Sequence, residues 1–193
     1  SLLAHFLPEW LTQLGWQDRM QPYLRATGWV ASDYFQALAR AECDLAICYW
    51  PVGRCDLDID TSACTYRVIG HERLIPVTGL KSDGTACALL PGSRQQPAPW
   101  LAYPKRGLLG SAVKAHLARL PQSTCLTAQS ENLYAAGIKE LVLLGYGMSW
   151  LPERNVAAEL ANGTLVRAGD SRWDVPMELR LYRHQSQQHA ELD

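Results

Sequence analysis

The residues with the clearest chemical potential in this sequence are hydroxyl and cationic side chains at predicted helix starts. A helix N-terminus presents unpaired backbone N–H groups and a partial positive charge, so it attracts anions. Four such starts carry candidate ligand-binding residues: Ser1 and Leu2; Ser32; Lys105, Arg106 and Gly107; Gln129 and Ser130. Two cations at one helix start oppose the helix dipole, and a bound anion would relieve that conflict. We therefore predict a small, acceptor-rich ligand.

These residues also have simpler explanations. The serines could act only as N-caps, which contribute about 1 kcal/mol each. Lys105 and Arg106 could form a solvated surface pair. Trp50 and Tyr103 follow or end predicted strands and could form apolar walls of the site, although core packing is the stronger expectation for Trp50.

Patterns typical of catalysis or metal binding do not stand out. No two cysteines have the two-residue spacing of a zinc site, and no Ser-His-Asp or Cys-His spacing indicates a nucleophile with its base. His71, beside Glu72 and Arg73 in a predicted strand, is interpreted as a packed or surface histidine. Gly145 and Gly147 follow a helix rather than a strand, which excludes a dinucleotide fingerprint. We predict no enzyme activity, no metal and no cofactor.

The cysteines allow two interpretations. Their irregular spacing and the lack of a signal peptide favour reduced, mostly buried thiols in a cytoplasmic protein. The alternative is a redox sensor, for which Cys55 and Cys64 are better placed because they lie in a polar connecting stretch. The six cysteines are Cys43, Cys48, Cys55, Cys64, Cys87 and Cys125.

Composition indicates a globular protein that binds neither nucleic acid nor membrane by itself. The chain has 193 residues, of which 48% are hydrophobic, and its net charge is −1. A DNA-binding domain usually carries a clustered basic excess, which is not visible here. No apolar run approaches the roughly 20 residues of a membrane span.

Apolar periodicity predicts alternating helices and strands arranged as two α/β lobes, with parallel sheets and a ligand-binding cleft between them. A long strand would leave the first lobe and a Gly-rich segment, 145–152, would return to it. We predict lobe I at 1–74 plus 153–193 and lobe II at 75–152. Predicted helices cover 2–14, 32–41, 107–120, 131–144 and 152–160; predicted strands cover 22–30, 43–50, 66–78, 100–104, 125–129, 147–151, 164–167 and 175–183.

Segment 145–153, GYGMSWLPE, resembles the Gly-x-Gly-Ile-x-x-Leu-Pro motif of effector domains in LysR-type transcription regulators. The segments SLLAHFLPEWL, ALARAECDLAI and HERLIPVT are similar to family segments in the same order, so the resemblance covers nearly the whole chain. Glu42 departs from the pattern because the family usually has Gly there. The resemblance implies an α/β fold of two Rossmann-like lobes with a central cleft, periplasmic-binding-protein-like (type 2).

The resemblance also implies a function and partners. We expect an effector-sensing domain that binds a small anion between its lobes and passes the change to an N-terminal winged helix-turn-helix domain absent from this chain. DNA would be contacted only through that domain, and the protein would form a homodimer or homotetramer, with helices 2–14 and 107–120 of two copies paired. The alternative is a periplasmic-type solute-binding protein for a small anion, against which the several thiols argue.

Within the family, YPKRGLLG and SWLPE are closest to the hypochlorite-responsive branch. That branch is known for sensing an oxidant through methionines. Only Met20, Met148 and Met177 occur here, and Leu109 stands where one sensing methionine is expected. Methionine sensing is therefore not expected for this chain.

The lack of a basic face and of a reading helix generates a first prediction. The chain alone should show no sequence-specific DNA affinity at physiological salt. A gel-shift titration checks this, and specific binding below micromolar concentration would contradict it.

Overall fold

The computed structural model of the chain describes residues 2, 6–15, 23, 30–53 and 57–186. Most of the predicted strand 22–30, together with Ser1 and Cys55, lies outside these residues. The helices are α1 (Leu7–Gln13), α2 (Ala31–Ala39), α3 (Leu108–Arg119), α4 (Ala135–Leu143) and α5 (Glu153–Asn162). The strands are β1 (Ala46–Pro51), β2 (Cys64–Gly79), β3 (Ala98–Ala102), β4 (Leu126–Glu131), β5 (Met148–Pro152), β6 (Leu165–Arg167) and β7 (Val175–His184). Among these helices, none is long and apolar enough to cross a membrane.

The described strands form one mixed sheet in the order β1-β7-β2-β5-β3-β4, with β6 paired to β2. Only the pairings of β3 with β4 and β5 are parallel in this part of the chain; the others are antiparallel. The expectation of parallel sheets is therefore correct only around β3. The segments that return through β5 and β7 run opposite to β2, and sequence periodicity does not specify strand direction.

Strand β2 connects the two halves of the sheet. Residues 64–74 pair with β7, whereas 74–78 pair with β5 and 77–79 with β6. Burial follows the change of partner, because residues 65–68 are exposed and residues 74–79 are fully buried. β2 is thus shared by the two halves of the sheet, and the chain reaches the first half again only after β6, where β7 begins.

Helix α2 has its N-cap two residues earlier in the chain than Ser32 suggests. Val30 is the N-cap, and the Asp33 carboxylate accepts a hydrogen bond of 2.9 Å from the Val30 N–H. Ser32 therefore lies inside the first turn and does not cap the helix. Ala31, Phe35 and Leu38 recur at helical spacing and bury one face of the helix on the sheet.

The turn after α2 is made by Ala41 in place of the family's Gly. Ala41 has a φ of 54°, the left-handed region in which residues with a Cβ are strained. This geometry lets the Glu42 N–H donate to the Ala37 carbonyl at 2.9 Å and so pairs one of the last helical carbonyls.

Packing moves the predicted boundary at residue 153. Val156 of α5 and Leu165 of β6 belong to the same buried cluster as Ile75, Leu101 and Ile138 of the second half. Residues 153–167 therefore pack with lobe II, not with lobe I as predicted. The reason is that β6 pairs with the last residues of β2, which belong to the second half of the sheet. The amended division, with lobe I resuming near 168, stays a proposal.

A further cluster joins the two halves across the sheet. The side chain of Trp150 on β5 is fully buried, and its indole Nε1 donates to the Trp173 carbonyl at 2.8 Å. The Trp150 ring also meets the Trp100 ring edge-on at 6.1 Å between centroids. Tyr49 and Met177 from the first half share this cluster, so the two halves have a continuous core.

The strained turn at Ala41 predicts that a glycine stabilises the fold at this position but destabilises it at the nearby Ala39. Ala41→Gly should raise the free energy of unfolding by about 0.5–1 kcal/mol, because glycine adopts this φ without a Cβ clash. Ala39→Gly, in the exposed last turn of α2, should lower it by about 1 kcal/mol. Urea unfolding of both variants tests the pair, and a loss of stability in Ala41→Gly would contradict the assignment of strain.

Candidate functional site

Two helix N-termini meet where the halves of the molecule face each other. Ala31, the first residue of α2, and Leu108, the first residue of α3, lie in one buried cluster with Trp50. α2 packs on β1 and β7, whereas α3 follows β3 at the carboxyl end of a parallel strand. The positive ends of the two helix dipoles therefore lie near one buried cluster. That the ligand site lies at this place stays a prediction.

The turn before α3 supplies two exposed cations. Lys105 and Arg106 are exposed, and within the described residues neither forms an ion pair. Gly107 is the N-cap of α3, but its N–H donates to the Pro104 carbonyl at 2.9 Å. The first helical residues after Gly107 carry the N–H groups that helix geometry leaves without a partner.

The segment around Gln129 and Ser130 differs from the prediction. β4 runs to Glu131, and α4 begins only at Ala135 with Tyr134 as its N-cap, so Ser130 is a strand residue and not a helix cap. Gln129 is exposed, whereas Ser130 is half-buried. The Ser130 Oγ is buried and has no hydrogen-bond partner among the described residues. It is thus a hydroxyl available to a guest.

The remaining predicted residues contribute less. Ser1 lies outside the described residues. The side chain of Leu2 packs against the cluster that joins the two halves, and its carbonyl accepts the Phe6 N–H at 3.1 Å. Ser32 is half-buried near the start of α2. The structure therefore brings α2 and α3 together at the cleft, and it gives no contact between Ser32 and Ser130.

Sequence reasoning missed the hydroxyl of Tyr103, which it treated only as an apolar wall. Tyr103 is 4% exposed, and its hydroxyl has no hydrogen-bond partner among the described residues. Burial, and secondarily the neighbouring phenol of Tyr49, raises the pKa of Tyr103 far above its ordinary value. Its place immediately after β3 was the available indication, because ligands bind beyond the carboxyl ends of such strands.

A cavity of about 440 Å³ lies elsewhere, between β2 and the start of α5. Its lining residues are His71, Glu72, Arg73, Glu153 and Arg154. Its acids and arginines are paired with one another, so it offers an incoming ion few unmatched charges. A smaller cavity of about 40 Å³ lies between the C-terminal half of α3 and the prolines Pro51 and Pro176, away from the N-terminus of α3.

The described cysteines do not favour redox chemistry. Cys43, Cys48, Cys64, Cys87 and Cys125 form no disulfide among themselves. Burial, followed by the Asp60 carboxylate, raises the pKa of the Cys64 thiol, which disfavours the reactive thiolate. Cys55 lies outside the described residues. No metal-binding group of three His, Cys, Asp or Glu side chains occurs in the described part of the chain.

Comparisons with known proteins identify the family and the fold of the chain. The family description "LysR substrate binding domain" matches residues 2–192. Comparison with curated proteins gives no significant match. The apo regulatory domain of HypT from Salmonella typhimurium superposes with a TM-score of 0.79 at 19% identity, over 98% of this chain and 84% of that one. The bromide-ion-bound structure of the same domain superposes with a TM-score of 0.71 at 18% identity, over 95% of this chain and 84% of that one. DarR of Vibrio fischeri, in complex with DNA, superposes with a TM-score of 0.74 at 22% identity.

The comparisons also show how much of a full-length relative this chain covers, and which fold it has. The chain matches 97% of its own length to DarR but only 60% of DarR. The predicted fold class, a periplasmic-binding-protein-like (type 2) fold of two α/β lobes, is confirmed. The family match fits the regulatory interpretation and not the alternative of a periplasmic solute-binding protein.

The buried phenol generates a pH prediction. The folded-state pKa of Tyr103 lies above that of the unfolded chain, near 10, so stability should fall as the pH rises beyond about 10. Tyr103→Phe should remove the contribution of one proton to that dependence. Above pH 10 the slope of the unfolding free energy against pH should therefore change by up to about 1.4 kcal/mol per pH unit. Urea unfolding between pH 9 and 11 measures the slope. Tyr134→Phe, whose ring is exposed, is the control and should keep the wild-type slope; an equal change in both variants would contradict the assignment.

Proposed function

Because the chain belongs to the LysR substrate-binding domain family, we propose that it senses a small anionic effector bound between its lobes. The observation that carries this proposal is the approach of the α2 and α3 N-termini beside two cations without ion-pair partners among the described residues. In this proposal the domain binds its effector without transforming it. The bromide-ion-bound structure of the similar HypT domain supports an anion as the guest.

Charge favours an anion over a neutral or cationic ligand. Lys105 and Arg106 precede α3, where the helix dipole already makes the local potential positive. An acidic guest would form charge-assisted hydrogen bonds there, each contributing about 1.5–3 kcal/mol. A cation would meet two like charges and a helix N-terminus, and nearby described carboxylates do not pair with these two residues.

Buried hydroxyls favour a guest with several acceptor atoms. The hydroxyls of Tyr103 and Ser130 are buried without protein partners among the described residues, and such groups cost about 1–3 kcal/mol each until they are paired. A carboxylate or oxyanion that accepts their hydrogens would remove that cost. The proposed site therefore adds Tyr103 to the residues predicted from sequence: Ser1, Leu2, Ser32, Lys105, Arg106, Gly107, Gln129 and Ser130.

The effector has to displace packed side chains to enter. Leu108 and Trp50 lie in one buried cluster at the proposed site. Binding would separate α2 from α3 or reorient the lobes, and we propose that this movement is the signal. In the whole protein the signal would reach a DNA-binding domain outside these residues, in a cytoplasmic regulator; DarR in complex with DNA supports that arrangement by analogy.

The oligomer is also a proposal. We expect a homodimer or homotetramer, but the partner surfaces predicted from sequence need amendment. Ala112 and Val113 of α3 are buried against the same chain, so that face is not available to a second copy. Leu7 of α1 is likewise buried. Pairing would therefore use the outer faces of these helices.

Arg106 provides the direct test of the site. Arg106→Ala should weaken binding of an anionic effector about ten- to a hundredfold, because it removes a charge-assisted hydrogen bond. A thermal-shift panel of sodium bromide, sulfate and small carboxylates would first identify a binder, and calorimetry would then measure its affinity. The melting temperature without ligand should hardly change, since the side chain is exposed.

Matched variants decide the location. Lys114→Ala removes an exposed cation from the middle of α3 and should leave affinity unchanged. Ser130→Ala should weaken binding without affecting the charge at α3. Unaltered affinity in both Arg106→Ala and Ser130→Ala would place the site elsewhere.

A further inference from the structure

Two identical dipeptides face each other where β2 changes its pairing partners. Glu72-Arg73 lies on β2 and Glu153-Arg154 begins α5, directly after β5. The antiparallel register pairs Leu74 with Pro152, which brings the two dipeptides side by side in opposite directions. Each glutamate therefore meets the arginine of the other segment.

The first of the two reciprocal pairs is partly open to solvent. The Arg73 guanidinium donates to the Glu153 carboxylate through Nε at 3.0 Å and Nη2 at 2.7–2.8 Å. The side chains are 54% and 37% exposed. Arg73 also lies 3.6 Å from Asp174, a buried carboxylate that is bound by Arg167. We call Arg73 and Glu153 the outer pair.

The second reciprocal pair is buried. The Arg154 Nε donates to the Glu72 carboxylate, whose side chain is only 4% exposed. Arg154 Nη2 also donates to the His71 carbonyl at 3.1 Å, and its guanidinium lies over the Phe6 ring at 5.2 Å. We call Glu72 and Arg154 the inner pair. It links the start of α5 to both β2 and Phe6, the N-cap of α1.

We infer that these four residues form a hinge clasp that fixes β2, where it changes partners, to the start of α5 and, through the contact of Arg73 with Asp174, to the segment that returns to the first half. It adds to the strand pairing that ends at Leu74 and Pro152 and to the packing of Val156 in the same cluster as Ile75. The inner pair is the firmer part of the clasp because the Glu72 carboxylate is buried. The outer pair is sensitive to salt, because the adjoining cavity of about 440 Å³ admits solvent and counterions.

This device is independent of effector identity, so it can be tested without a ligand. Hydrogen–deuterium exchange of the 193-residue chain would follow the amides of 73–75, 77, 149–151 and 153 at low salt and at 1 M NaCl. Arg73→Gln should raise their exchange rates roughly two- to fivefold at low salt, the range that an exposed ion pair supports. At 1 M NaCl, where the Debye length is about 3 Å, the ratio to wild type should approach one.

Three further variants complete the test. Glu153→Gln should reproduce the effect, and the double variant Arg73→Gln/Glu153→Gln should exceed neither single variant, because the two side chains act as a pair. Glu72→Gln leaves Arg154 without its carboxylate, so its effect should be larger and should persist in 1 M NaCl. Arg40→Gln is the control, because it removes an exposed pair, with Glu42, that lies after α2 and away from the clasp.

The inference would be overturned by additive effects of Arg73→Gln and Glu153→Gln, or by equal acceleration in Arg40→Gln. Acceleration that spread equally to the amides of α3 and β4 would indicate global destabilisation and would overturn it as well. An acceleration in the outer-pair variants that 1 M NaCl does not reduce would also overturn the inference. If Glu72→Gln does not fold, the outer-pair variants and their salt dependence still decide the question.

Discussion

The structure depends on the long strand β2, which changes its pairing partners along its length. The sixteen residues of β2 need hydrogen-bond partners wherever they are buried, because unpaired backbone groups in a core are costly. β7 supplies them up to Leu74, and β5 and β6 supply them beyond it. The two halves of the molecule are therefore defined by where β2 changes partners, and any reorientation of the lobes has to bend the chain there.

Arginines and acids have two different functions in this fold, and their neighbours decide which. Arg73 and Arg154, between β2 and the start of α5, meet carboxylates and hold segments together. Arg106 and Lys105 stand at a helix start without such partners among the described residues, where the helix dipole adds to their positive potential. The buried hydroxyls of Tyr103 and Ser130 extend that imbalance, since both are donors without an acceptor. Paired charges hold segments of the domain together, and the unmatched donors are what supports the proposal that it binds an anion.

Local pattern predicted most elements, and it failed where distant segments decide the outcome. The apolar spacing of α2 and α3 and the Gly145 turn were sufficient for helix positions to within a few residues. Ser130 was placed before a helix because a polar residue ahead of an apolar run indicates a cap, yet pairing with Leu101 of β3 extends the strand through it. The boundary at residue 153 failed similarly, because α5 and β6 follow the surface on which their apolar faces pack.

The sequence by itself determined the family, the two-lobe plan and the cations before α3, because these depend on residue order and on short-range periodicity. The tertiary structure alone decided that the α2 and α3 N-termini converge, that the Tyr103 hydroxyl is buried without a described partner, and that Glu72-Arg73 meets Glu153-Arg154. Eighty residues separate those two dipeptides, and nothing in either segment specifies the other. Strand register brings them together, and register depends on how all the elements share one core.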